Sequence, residues 1–123
     1  GTYRVQAEIQ AVHARARSAP ETDWPSILAL YDELPDSPII ELNRAIAVGM
    51  AYGPQAGLDA LVRLAASRRL EGYHLLPAAQ ADLSRRAGRY TEAATHYRAA
   101  IALAPTEPER RYLERRLLAL DAG

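Results

Sequence analysis

The side chains that most often carry out chemistry in proteins are few in this chain, and their spacing matches no catalytic pattern. The three histidines are His13, His74 and His96, and no two of them are four residues apart, as a metal site on one helix face would need. The chain has no cysteine, and no serine lies in a Gly-x-Ser-x-Gly turn. The sequence therefore predicts no catalytic residue, no cofactor and no metal site, and we expect that the protein is not an enzyme.

Binding of nucleic acid or nucleotides is disfavoured by the charged residues and by the glycines. All 15 basic residues are arginine, and 15 acidic residues balance them to a net charge of zero. The densest basic cluster, residues 110–116, is interleaved with Glu107, Glu109 and Glu114, whose carboxylates would repel phosphates. The glycines of residues 53–57 lack the lysine and the preceding strand of a phosphate loop. We expect no direct contact between this chain and DNA or RNA.

The charges are nevertheless separated along the chain. Six acids and no arginine lie in residues 18–43, whereas eight arginines face four acids in residues 84–116. Such a separation can orient a partner or another domain. Solvated helix faces with pairs four residues apart, such as Arg110 with Glu114, would explain it equally. The sequence leaves both interpretations open.

The composition and the positions of proline and glycine predict the secondary structure that could carry an interaction surface. Alanine, leucine and arginine favour helix, and no run of five or more alternating residues predicts a strand. No apolar run reaches the roughly 18 to 20 residues that cross a bilayer. We therefore expect an all-α, soluble, cytoplasmic domain over residues 1–123. Because the chain begins with Gly1 and not Met, we expect it to be a fragment of a longer protein.

Seven helices are predicted. Asp23 and Pro25 mark the start of the second, Gly88 the end of the fifth, and Thr106 with Glu109 a capping box that opens the seventh. Trp24 is expected to pack at the base of the second helix, although an exposed anchor for a partner is the alternative. The first, third, fifth and sixth predicted helices span residues 3–17, 38–52, 73–87 and 90–103. The second runs from about residue 24 through Leu34. The fourth begins at Pro54 and includes Leu58, Leu61, Val62 and Ala65, and the seventh begins at Thr106 and includes Tyr112, Leu113, Leu117 and Leu120.

Short connections between these helices predict a stack of antiparallel hairpins, closed by the seventh helix as a cap. A shift of 35 residues relates two hairpins, with Leu58 on Ala93, Val62 on Tyr97 and Ala65 on Ala100. Five residues are spaced along the chain in a way that resembles the second half of a tetratricopeptide repeat. In that family the residues at these positions pack the helices of the repeat. The five are Gly88, Ala93, Tyr97, Ala100 and Pro105. The first half departs from that pattern, since Pro77 and Gln80 stand where an aromatic residue and a leucine are usual.

If the repeat resemblance holds, the first helix of each hairpin lines a concave interaction surface. Among the residues of this surface, Asn43 is the one that the sequence indicates most strongly. Asparagine is a poor helix former, so its position in the middle of a helix indicates that its amide has a hydrogen-bonding role. Ordinary solvated helix positions are the alternative for each of them. The candidate surface comprises Glu8, Val12 and Arg15, then Asn43, Ala47 and Met50, and then Ala78, Asp82 and Arg85.

A closer resemblance covers nearly the whole chain. In order along the sequence, several motifs resemble the C-terminal extension of an unusual group of extracytoplasmic-function RNA polymerase sigma factors. The short segment 32–38 departs from that family, whose second helix is generally longer. The matching motifs are Gln6 to Ala14, Thr22 to Trp24, Ile27, Leu30 to Asp32, Leu42 to Ala45, Gly53 to Leu58, Tyr73 to Leu75 and Glu107 to Leu117.

This resemblance implies a regulatory or protein-interaction role within a transcription initiation factor. Its partners would be the sigma domains of the same chain, RNA polymerase or a regulatory protein. DNA would be contacted only by N-terminal sigma domains that this sequence does not contain. The alternative is a free-standing scaffold, unconnected with transcription, that binds a peptide or a small ligand in its concave groove.

Overall fold

A computed structural model describes residues 23–122, and within this range every regular element is an α-helix. The all-α fold class is thereby confirmed for the described part. The first predicted helix, with Glu8 and Arg15, lies outside the described residues. The helices are α1 (Trp24–Tyr31), α2 (Pro38–Tyr52), α3 (Pro54–Ala66), α4 (Leu75–Arg86), α5 (Tyr90–Leu103) and α6 (Glu107–Ala122).

Side chains predicted to cap helices do so. The Asp23 carboxylate accepts a hydrogen bond from the Ser26 amide at the start of α1. The Thr106 hydroxyl accepts one from the Glu109 amide at 3.3 Å and lies 3.1 Å from the Glu109 carboxylate. These bonds satisfy amide groups that have no partner within the first turn of a helix.

The end of α4 shows why glycine is needed at position 88. Gly88 adopts φ +79°, the left-handed conformation predicted for it. The Arg89 amide then donates to the Ser84 carbonyl at 2.8 Å, and the Gly88 amide donates to the Arg85 carbonyl at 3.0 Å. This is the Schellman arrangement, which ends the helix and reverses the chain into α5.

The start of α4 differs from the prediction by two residues. Tyr73 and His74 lie in a turn, in which the Tyr73 amide donates to the Leu70 carbonyl, and the helix begins at Leu75. Pro77 falls in the first turn of α4, where its missing amide proton costs no helical hydrogen bond, as expected.

Each helix packs against the next one, and α2 also contacts α4. Three buried clusters hold the helices together. Ile27, Leu28, Leu34 and Ala47 join α1 to α2, with Trp24 packed against them as predicted. A central cluster that includes Leu42, Leu61 and Leu83 joins α2, α3 and α4. Ala81, Ala93, Tyr97, Ala100 and Leu113 join α4, α5 and α6.

Helices α2, α3 and α4 approach closely where they meet. A Cβ atom on Gly57 of α3 would lie 2.7 Å from the Cα of Gly49 on α2 and 2.7 Å from the Leu83 Cδ1 of α4. Further along, Glu41 of α2 reaches Arg69 just beyond the end of α3, with Nη1 3.0 Å from Oε1. Residues late in α2 therefore meet residues early in α3, and the two helices run antiparallel.

The predicted shift of 35 residues is wrong by one in the second helix of each hairpin. Val62 is 60% exposed, whereas Tyr97, its expected equivalent, is 2% exposed. One residue, Gly53, joins α2 to α3, but three residues, 87–89, join α4 to α5. The pairs with the same burial are 36 residues apart, namely Ala45 and Ala81, Gly57 and Ala93, Leu61 and Tyr97, and Leu64 and Ala100.

Candidate functional site

Two adjoining cavities form a groove along α4, here called the α4 groove. One, of about 250 Å³, lies between α2, α4 and α6, and the other, of about 270 Å³, lies between the first turns of α4 and α6. They share four lining residues, Leu75, Ala78, Tyr112 and Leu113. The groove is thus continuous from one end of α4 towards the other.

Each helix contributes a distinct part of the α4 groove. Leu75, Ala78 and Ala79 of α4 form the floor, and Asn43 of α2 stands on one wall. Tyr112 of α6 forms the opposite wall and is 54% exposed. Helix periodicity places Leu75, Ala78 and Ala79 on one face of α4. The result is a mostly apolar surface with polar groups at its two ends.

One end of the groove carries a cluster of opposite charges around Asp82. Arg85 Nη2 lies 2.6 Å and Arg86 Nε 3.0 Å from the Asp82 carboxylate oxygens. Arg116 Nη2 of α6 stands at 3.8 Å from Oδ1, beyond hydrogen-bond distance. Partial burial raises the pKa of the Asp82 carboxyl, but the hydrogen bonds from Arg85 and Arg86 outweigh it, so this pKa lies below its ordinary value. One carboxylate among three guanidinium groups leaves this end positive.

The other end of the groove holds a buried histidine with an unused ring nitrogen. The His74 side chain is 9% exposed, and its Nε2 lies 3.7 Å from Glu109 Oε2. Within the described part of the chain this Nε2 has no hydrogen-bond partner. The ring contacts Tyr73 edge to face, with centroids 5.4 Å apart. Nε2 itself is sealed from solvent, so the half-exposed Glu109 carboxylate, and not this nitrogen, offers hydrogen bonds to the otherwise apolar pocket.

The residues predicted for the concave surface are only partly brought together. Asn43 of α2 and Asp82 of α4 line the same cavity. Arg85 is paired with Asp82 and does not line the groove, and Met50 is half-buried near the end of α2, away from it. Ala47 is 1% exposed in the cluster of α1 and α2, so it cannot contact a partner.

Residues predicted to pack the repeat lie at the junction of α4, α5 and α6. Ala93, Tyr97 and Ala100 are almost completely buried there, and Gly88 makes the turn between α4 and α5. Pro105 is exposed in the connection from α5 to α6. Small side chains at positions 93 and 100 leave room for the bulky Tyr97 ring between the helices.

Sequence reasoning missed one residue that shapes the groove. Tyr112 is named from the sequence with the apolar residues of the last helix, but it is 54% exposed, and its neighbour Leu113 takes the buried position. The sequence favours a packing role for His74 beside Tyr73, and His74 is buried with its ring against Tyr73.

The chain is similar to a protein that is described as uncharacterized. The chain is 40% identical over 120 residues to an uncharacterized protein of Rhizobium meliloti (strain 1021). The match covers 95% of this chain but only 28% of the length of that relative. No family model matches the chain, and no solved structure matches it significantly.

No group of three histidine or acidic side chains in residues 23–122 is placed to hold a metal ion. Among the six helices of that range, none combines the length and the apolar character needed to cross a bilayer.

Proposed function

We propose that this chain is a protein-interaction and regulatory module of an extracytoplasmic-function sigma factor. It is built as a tetratricopeptide-like stack, and the α4 groove is its contact surface. The described structure has no part in recognising the promoter, which belongs to N-terminal sigma domains outside this sequence.

The observation that carries the proposal is the repetition of buried positions in two successive hairpins. In α2–α3 and in α4–α5, a small residue of the first helix meets a small residue of the second, followed by a large buried residue four positions later. The contact between α2 and α4 supports stacking of one hairpin on the next. Repeats of this kind contact mainly their neighbours and leave a concave face for a partner.

The surface properties of the groove support an interaction with protein. Leu75 and Tyr112 are 43% and 54% exposed, and both face the same groove. Exposed apolar residues grouped in a concavity with a polar rim are typical of interaction sites. The charged groups around Asp82 and Glu109 at the two ends would orient a bound segment.

The link with sigma factors rests on the motifs that run in the same order over nearly the whole chain. The similarity to a relative of which this region covers 28% agrees with a domain that accompanies other segments. The first test is therefore the coding sequence upstream of Gly1. Absence of sigma-type helices for polymerase and promoter binding there would contradict the sigma-factor proposal and favour a free-standing scaffold.

The second test is transcription by the full-length protein with RNA polymerase. The double substitution Asn43→Ala with Tyr112→Ala removes exposed side chains from both walls of the groove. We expect promoter output to change at least about threefold, because exposed aromatic residues of an interface commonly contribute most of its binding energy. Far-UV circular dichroism should stay helical, since both side chains are exposed.

Tyr52→Ala is the matched control. Tyr52 is 68% exposed at the end of α2 and lies outside the α4 groove. It should leave transcription unchanged. Wild-type output from the folded double variant would contradict the role of the groove.

A further inference from the structure

The last two described helices, α5 and α6, enclose a cavity of about 430 Å³ that the proposed function leaves unexplained. It lies between α5 and the last turns of α6 and is here called the α5–α6 cleft. It shares no lining residue with the α4 groove. The cleft is lined by Tyr90, Thr91, Ala94 and Arg98 of α5, and by Leu117, Leu118, Leu120 and Asp121 of α6.

The apolar side chains of this cleft are open to solvent. The last helix of a helical stack normally keeps a polar outer face, which makes the stack soluble. Leu118 is nevertheless 69% exposed and Tyr90 is 50% exposed, and both line the same cleft. Large exposed apolar residues grouped around one concavity are typical of a surface that another chain covers.

Two charged side chains lie at opposite ends of the cleft. The short connection of residues 104–106 makes α5 and α6 antiparallel neighbours. Asp121 is therefore level with the first turn of α5, whereas Arg98 lies about 12 Å beyond Tyr90 along that helix. Within the described residues neither Arg98 nor Asp121 has an ion pair. The cleft thus offers one unpaired cation and one unpaired anion, with apolar surface between them.

We propose that a second copy of this chain covers the α5–α6 cleft, in a two-fold dimer in which Arg98 of each copy pairs with Asp121 of the other. In a two-fold contact both copies use the same surface, so that surface must be complementary to itself. One cleft turned end for end over another brings each arginine against an aspartate and closes the apolar side chains against each other.

Charge complementarity favours a second copy over an unrelated partner. An acidic segment would pair with Arg98 but meet the like charge of Asp121, and a basic segment would do the reverse. The same chain carries both charges at the matching separation. Because the cleft and the α4 groove have no lining residue in common, the dimer leaves the α4 groove open to its own partner.

Sedimentation equilibrium of the 123-residue chain measures the association. We expect a reversible monomer–dimer equilibrium with a Kd between about 1 μM and 1 mM, as small interfaces give. Leu118→Asp should raise this Kd at least about tenfold, because it places a charge in the apolar part of the contact. The Leu118 side chain is exposed in the single chain, so far-UV circular dichroism should show an unchanged helical fold.

Val62→Asp is the matched control. Val62 is 60% exposed on α3 and lies outside the cleft. The substitution introduces the same charge and should leave the Kd of the dimer unchanged. A wild-type chain that stays monomeric at about 1 mM would overturn the proposal, and so would a dimer that Leu118→Asp weakens no more than Val62→Asp does.

Charge reversal tests the second copy as the occupant. Arg98→Glu alone should dimerise more weakly, because glutamates would face aspartates, and Asp121→Arg alone should do so because arginines would face arginines. In a mixture of the two variants, each charge contact between unlike copies joins opposite charges. The mixture should therefore form a heterodimer with a Kd within about threefold of the wild-type value. An ion pair within one chain could not produce this result.

The remaining outcomes are equally decisive. A mixture that associates no more tightly than the separate variants would overturn the pairing of Arg98 with Asp121. Assembly beyond the dimer at the same surface would overturn the two-fold arrangement. Transcription by the full-length protein with substitutions in the α4 groove tests the proposed function separately.

Discussion

At the scale of single residues, the two helix glycines differ in what surrounds them. An added Cβ on Gly57 meets the Gly49 Cα at 2.7 Å and the Ala45 carbonyl oxygen at 3.0 Å, which are backbone atoms. On Gly49 it meets chiefly the two Leu83 methyl groups, at 2.8 and 3.1 Å. Backbone atoms can move aside only if a helix moves, whereas the end of a leucine side chain can rotate.

We expect Gly57→Ala to destabilise the fold by about 2 kcal/mol, because the overpacking cost exceeds the gain of about 1 kcal/mol in helix propensity. Gly49→Ala should change the free energy of unfolding by less than about 1 kcal/mol for the same reasons. Urea denaturation of the two variants against the wild type measures the difference. Equal stabilities of the two variants would contradict the idea that backbone contact at the α2–α3 crossing excludes a side chain at position 57.

At the scale of elements, Asp82 connects α4 to α6 through its approach to Arg116. Its lowered pKa means that the folded state favours the charged carboxylate relative to the unfolded chain, whose ordinary value is 3.8. The stabilisation is therefore complete above the unfolded value and is lost as pH falls through the lower folded value.

The expected result is that the wild type loses stability between about pH 5 and pH 2 more steeply than Asp82→Asn. Asp59→Asn is the control, at an exposed carboxylate on α3 that accepts a hydrogen bond from Gln55. Thermal unfolding measured at several pH values gives the slopes. Parallel curves for the wild type and Asp82→Asn would contradict a stabilising role for this carboxylate.

Most helix boundaries could be predicted from the sequence because local groups set them. Asp23, Gly88 and Thr106 act within one turn of their own helix, so their effect is visible in a short window. The α4 groove could be predicted only in part, since it depends on how helices are rotated against each other. Val62 and Tyr112 are exposed while their neighbours Leu61 and Leu113 are buried, a difference of one residue in the buried face that depends on the packing of the neighbouring helices.

At the scale of the whole molecule, three buried clusters lie in succession along the stack. Leu113 is 4% exposed and anchors α6 to the last of them. Leu113→Ala should cost about 2 to 4 kcal/mol, as deletion of a buried leucine side chain does. In a stack whose units contact mainly their neighbours, the effect should be concentrated at that end.

Hydrogen exchange should therefore show loss of amide protection in α6 and α5 of Leu113→Ala, with α2 and α3 nearly unchanged. Ile27→Ala, at the opposite end, should give the reverse pattern, because Ile27 belongs to the cluster of α1 and α2. Uniform loss of protection in both variants would show that the described helices unfold as a single cooperative unit.

The contact between Gly49 and Gly57 also determines how the molecule can bend. With no side chain between them, the two backbones cannot slide by one residue without forcing a Cβ atom into the neighbouring helix. Leu83 of α4 lies against the same two glycines, so any slide or rotation of α2 and α3 against α4 is opposed by this contact. Asn43 of α2 and Leu75 of α4 line the α4 groove from two of these interlocked helices. The width of the groove is therefore set by packing at two glycines that lie outside it.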